Sequence, residues 1–140
     1  MLHYRAAVAS QQIHSLAEGP LWDAPRRRVL WVDINAGKVH SGTLDGTSPG
    51  GDRILPDRVI SIPGTAGAVV CSPAGELLVA GARTLHTVAG DGTVTAGPQL
   101  VPADRPSRLK RRSLRSGRPI PGRQHGSRRR APRRGIAVPP

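Results

Sequence analysis

Turn-forming residues recur about every eight to twelve positions from Asp23 to Thr93, and that spacing confines the chain to short strands. The turns are Asp23-Ala24-Pro25, Asn35-Ala36-Gly37, Pro63-Gly64, Ser72-Pro73-Ala74-Gly75 and Ala89-Gly90-Asp91-Gly92-Thr93, with a Gly/Ser/Pro loop from Asp45-Gly46 to about Asp52. Between them lie runs of β-type residues: Val29 to Val32, Lys38 to Leu44, Val59 to Ile62, Ala66 to Cys71, Leu77 to Ala82, Leu85 to Val88 and Val94-Thr95. Ser72 to Gly75 and Ala89 to Thr93 have the composition of hairpin loops. No stretch keeps a convincing 3.6-residue apolar period, so helices are not expected. The pattern predicts an all-β sandwich, barrel or propeller.

Two segments are alike. Leu21-Trp22-Asp23-Ala24-Pro25 leads to Val29-Leu30-Trp31-Val32, and Val70-Cys71-Ser72-Pro73-Ala74-Gly75 leads to Leu77-Leu78-Val79-Ala80, about 49 positions on. That offset fits one propeller blade, although two unrelated hairpins would look the same. Trp22 and Trp31 are read as core residues of a blade. Asp23 and Asp33 are read as turn and strand-end residues.

Charge divides the chain at one point. Residues 1–109 hold 10 basic and 9 acidic side chains, whereas residues 110–140 hold 11 basic and none that are acidic. The formal net charge of +12 is therefore almost wholly that of the last segment. This excludes a uniformly basic nucleic-acid-binding domain and argues against one core built from all 140 residues. The aromatics, Tyr4, Trp22 and Trp31, all lie in the first quarter.

Other classes are excluded more simply. No run approaches the roughly 20 apolar residues that cross a bilayer. Met1 to Ser10 has no apolar core of a secretory signal, so a cytoplasmic protein without a membrane partner is expected. Cys71 is alone and sits in the apolar run Ala68-Val69-Val70-Cys71, which predicts a small buried hydrophobe. His3, His14, His40, His86 and His125 are scattered without metal-ligand spacing.

His14-Ser15-Leu16-Ala17-Glu18-Gly19-Pro20-Leu21-Trp22-Asp23, followed by Val29-Leu30-Trp31-Val32-Asp33-Ile34, resembles the opening of the senescence-marker-protein/gluconolactonase family of regucalcin-like lactonases. The pattern there is Leu-Gly-Glu-Gly-Pro-x-Trp-Asp and then a Trp-Val-Asp-Ile strand. Gly37-Lys38-Val39-His40 is similar to the next strand, and Pro63 to Val70 to the following blade. Ala103-Asp104-Arg105-Pro106-Ser107-Arg108-Leu109 is similar to the approach to the family's Asn-Asp-Gly motif. The resemblance implies a six-bladed β-propeller, of which residues 1–109 are an N-terminal part of about two blades. It also implies hydrolysis of a sugar-acid lactone, with a divalent cation, calcium or zinc, at the mouth of the central channel.

By that resemblance Glu18 is a metal ligand and Arg108 binds substrate, while the general base is expected elsewhere and no catalytic residue is assigned. The chemistry suits both roles. A carboxylate is a hard oxygen donor for calcium and a ligand for zinc. A guanidinium offers donors to lactone and hydroxyl oxygens. The metal would polarise the lactone carbonyl while a second carboxylate activates water. Taken by itself, a Glu before Gly-Pro reads equally as a solvated turn residue.

After Leu109 the resemblance expects Asn-Asp-Gly, but the chain continues Lys110-Arg111-Arg112-Ser113-Leu114-Arg115. One reading is a disordered Arg/Pro/Gly-rich tail over 110–140. The other is a shifted reading frame. With a free choice of synonymous codons, dropping one base in the Lys110 codon turns the segment into Asn-Asp-Gly-Ala-Cys-Asp-Pro-Ala-Gly-Arg-Phe. The protein sequence permits this rereading without forcing it.

On either reading the chain is expected to be truncated and inactive alone, since a six-bladed propeller needs about 240 residues or more. The rival class is a β-rich module whose basic arm binds nucleic acid or other polyanions non-specifically through phosphates. The arm has no aromatics for base stacking, so no specific nucleic-acid partner is expected.

Overall fold

The computed structural model describes residues 3, 6–47, 52–106 and 108–109. The segment read as a basic tail, 110–140, lies outside the described residues.

The strands are β1 (Ala17–Asp23), β2 (Arg28–Asp33), β3 (Lys38–Asp45), β4 (Arg53–Ser61), β5 (Ala68–Cys71), β6 (Leu77–Ala80), β7 (Thr84–Val88) and β8 (Val94–Gln99). They form two four-stranded antiparallel sheets in plain sequence order, β1-β2-β3-β4 and β5-β6-β7-β8. Each sheet is a meander with the form of a propeller blade. The two alike segments of the sequence are the first hairpins of the two sheets, β1-β2 and β5-β6. The fold is all-β, and the described residues contain one single-turn helix, Ala24–Arg26, and no helix long and apolar enough to cross a membrane.

Two strands run further than their apolar runs suggest. β4 begins at Arg53 rather than Val59, and β8 extends through Pro98 to Gln99. Both lie at the last position of their sheets, where a proline is tolerated because its missing N–H faces no neighbouring strand. The β3–β4 register shifts between Ser41 and Gly42, opposite Pro56, and this breaks the alternation that would have revealed the strand.

The core lies between the sheets. Leu30, Val32, Ile34, Val39 and Ile62 meet Ala66, Val69, Leu77, Val79 and Val88. Period-two alternation then fixes what the opposite face of the first sheet carries. Trp22 pairs with Val29, one position out of phase with the core pair Leu21 and Leu30. Trp22 is accordingly 48 % exposed, so of the two tryptophans read as core only Trp31, at 7 %, is buried.

Polar contacts join the sheets around this core. Arg26 donates Nη2 to the Pro73 carbonyl at 2.8 Å, and Arg58 donates Nη1 to the Gly90 carbonyl at 3.0 Å. Asp23 is buried at the end of β1, where Arg26 and Arg28 donate to its carboxylate at 3.2 and 2.9 Å. Cys71 is half-buried and places its Sγ 3.5 Å from Asp23 Oδ2, so it is a polar link between the sheets and not the plain hydrophobe its apolar neighbours suggest.

Burial pushes the Asp23 carboxyl upward. The hydrogen bonds from Arg28 and Cys71 and the charges of both arginines outweigh burial and hold it below the ordinary carboxylate value. Its contribution to stability is therefore complete at neutral pH. It is lost as the pH falls from the ordinary carboxylate range through the lowered folded value. Urea midpoints measured between about pH 6 and pH 2.5 should fall on the acid side, and Asp23→Asn should flatten that fall.

Candidate functional site

The face of the first sheet that turns away from the core carries the polar cluster. Alternation along β2 puts Trp31 and Asp33 on one face, and the β2–β3 register sets His40 directly opposite Trp31. The segment before β1 covers this face. The backbone N–H of Ile54 donates to the Ala9 carbonyl at 2.8 Å, and that of Ile34 donates to the Leu16 carbonyl at 2.9 Å.

Asp33 tethers the same segment. Its carboxylate accepts the N–H groups of Ser15 at 2.9 Å, Leu16 at 3.0 Å and Ala36 at 3.4 Å. Burial raises the Asp33 carboxyl, but these three donors and the nearby His14 outweigh it, so the group is held below its usual value. The strand-end residue of the sequence reading is thus a buried anchor for a stretch of chain some eighteen positions away.

That tether sets His14 beside two other rings. The indole Nε1 of Trp31 donates to His14 Nε2 at 3.2 Å, which leaves the Nδ1 proton facing Asp33 Oδ2 at 3.6 Å. His14 meets His40 edge-on with centroids 4.6 Å apart, and Trp31 stacks on His40 at 5.4 Å and 11°. His40 is only 7 % exposed, and neither of its ring nitrogens has a hydrogen-bond partner. Burial, and then the neighbouring His14, lower its pKa against the opposing pull of Asp33, so the ring is neutral near pH 7. Two of the five histidines that look scattered in sequence, His14 and His40, are brought together by sheet register and by a loop.

Glu18 lies just outside this cluster. Gly19 takes φ +64, and the β1–β2 register shifts between Glu18 and Leu21, so a bulge re-aims the strand at the glutamate. Glu18 is exposed and lines an open cleft of about 250 Å³ with Ser10, Gln12, His14, Pro20 and Trp31.

Arg108 is exposed and does not line that cleft. The Leu109 N–H donates to the Ala82 carbonyl at 3.1 Å, and its own carbonyl abuts Gly67, one position before β5. Glu18 and Arg108 therefore lie near the starts of the first strands of the two sheets, and those strands are neighbours in space. No ion pair joins them among the described residues.

Calcium takes six to eight oxygen ligands, and structural zinc takes four ligands. The cleft offers one carboxylate, that of Glu18. Glu18 also belongs to no group of three His, Cys, Asp or Glu side chains among the described residues. The described residues thus do not complete a cation site around Glu18, which can supply one ligand to such a site.

The family model of the SMP-30/Gluconolactonase/LRE-like region matches residues 16–111 of this chain. The chain belongs to that family, whose fold is a β-propeller and whose members are generally metal-dependent. Among curated proteins and among solved structures, nothing matches it.

Proposed function

We propose that this chain is the opening of a sugar-acid lactone hydrolase, with Glu18 as one ligand to a divalent cation and Arg108 as a substrate contact. The observation that supports the reading best is the bulge at Gly19, which aims a lone carboxylate into an open cleft within the family-matched segment. A bound cation would polarise the lactone carbonyl and stabilise negative charge on its oxygen. Glu18 would orient that cation through one oxygen. Arg108 would donate hydrogen bonds to substrate oxygens from the start of the second blade.

The same inventory argues that these 140 residues do not turn over substrate on their own. Around Glu18, one carboxylate and one arginine supply neither a complete cation site nor a second carboxylate to activate water. The family match ends at residue 111, within two residues of the charge step at Lys110. This coincidence supports a reading frame displaced at that codon, with 110–140 outside the lactonase sequence.

The purified chain, supplied with calcium or zinc, should hydrolyse an aldonolactone no faster than buffer does. Metal-dependent hydrolysis by the 140 residues would overturn their inactivity alone, and its loss in Glu18→Gln would then support Glu18 as a ligand. Such hydrolysis unaltered in Glu18→Gln would overturn the role proposed for Glu18.

A further inference from the structure

We propose that His14, Asp33 and His40 form a binding site for one borderline divalent cation of the zinc type, separate from the Glu18 position. One ligand atom from each residue lies within 4.8 Å of the others. His14 Nδ1 and Asp33 Oδ2 are 3.6 Å apart, close to the roughly 3.4 Å that separates two ligands of a tetrahedral ion at about 2.0–2.1 Å.

His40 is the second, independent observation. An imidazole that is more than nine-tenths buried with both nitrogens unpartnered is an unfavourable thing to hold against a tryptophan face. A lone pair aimed at a cation satisfies one of the two nitrogens and so removes part of that disadvantage. Two imidazole nitrogens and one carboxylate oxygen, with a fourth position left to water, are the donor set of an open zinc site and a poor one for calcium or magnesium. The ligands are also held from behind. The Ser15 and Leu16 N–H groups orient the Asp33 carboxylate, and the Trp31 ring fixes the plane of His40.

Binding has a consequence for Trp31. A cation placed between His14 Nδ1 and Asp33 Oδ2 displaces the proton there, so a neutral His14 carries its proton on Nε2. The Trp31 N–H then loses its acceptor, and the indole that stacks on His40 changes its surroundings. His14 also lines the open cleft, which gives the ion a way in.

The test is titration of the 140-residue chain with Co²⁺ and with Zn²⁺, in a Trp22→Phe background so that Trp31 is the only indole. One equivalent of Co²⁺ should produce the visible absorption of a four-coordinate ion and quench Trp31 fluorescence, and Zn²⁺ should displace it. His14→Gln, in the loop before β1, and His40→Gln should each weaken binding at least about tenfold. Glu18→Gln should leave it unchanged, and this separates the site from the lactonase position. No visible band with the parent chain would overturn the proposal. So would affinity unaltered in folded His14→Gln, the variant that leaves the sheet untouched, or affinity lost in Glu18→Gln.

Discussion

Asp33→Ala is expected to cost about 3 kcal/mol of folding stability. The carboxylate is buried and serves three backbone N–H groups, those of Ser15, Leu16 and Ala36. Alanine leaves all three without their acceptor and removes the charge that faces His14. It also frees the segment that covers Trp31 and His40, so apolar surface is exposed in the same event. A typical domain has about 5–15 kcal/mol of net stability, so this loss is a large share of it. Asp33→Asn keeps one acceptor oxygen and should lose roughly half as much. Urea unfolding followed by Trp31 fluorescence in the Trp22→Phe background measures both. A loss below about 0.5 kcal/mol in the alanine variant would show that the tether is not structural.

Gly37→Ala should be at least as damaging, by a different route. Gly37 takes φ +62 in the turn between β2 and β3, a conformation that costs an L-residue about 1 kcal/mol or more. An added Cβ would also run into the Gly64 carbonyl and approach the Ile62 oxygen at 2.8 Å. Both obstacles are backbone, so they cannot swing aside as a side chain would. The displaced strand-to-strand crossing carries the Ile62 N–H bond to the Gly37 carbonyl at 2.8 Å and the buried Ile62 and Ala66. We expect about 3–4 kcal/mol in all, read as a lowered melting temperature and reduced soluble yield. Gly90→Ala is the control. A Cβ at Gly90 meets nothing within 4 Å, so its melting temperature should be nearly unaltered. Equal effects at the two glycines would contradict the packing described here.

Much of the fold was legible in the sequence because turn chemistry is local. Asn35-Ala36-Gly37, Ser72 to Gly75 and Ala89 to Thr93 each specify a bend within a few residues, and the strands between them follow. β4 was less legible. Pro56 and Asp57 interrupt its pattern, and only its place at the edge of the sheet lets it continue.

The site divides in the same way. Glu18 and Arg108 are proposed from motif likeness alone, and each lies near the start of a first strand. The His14–Asp33–His40 cluster was missed, because two of its three members are joined by a loop and sheet register and not by spacing. Part of it was within reach. The turn at Asn35 to Gly37 implies a register that sets His40 opposite Trp31, two positions from Asp33. His14 was not, because it enters through hydrogen bonds from Ser15 and Leu16 to a carboxylate that looked like an ordinary strand end.

The family-matched sequence runs to the charge step at Lys110, and we propose that the reading frame is lost there. Reading the coding DNA across the Lys110 codon tests this most directly. The account predicts that, after removal of a single base there, the codons decode Asn-Asp-Gly immediately after Leu109 and continue into an Asp-Pro-x-Gly-Arg turn. Codons that encode no such motif in that frame would contradict it and make residues 110–140 the chain's own in-frame sequence.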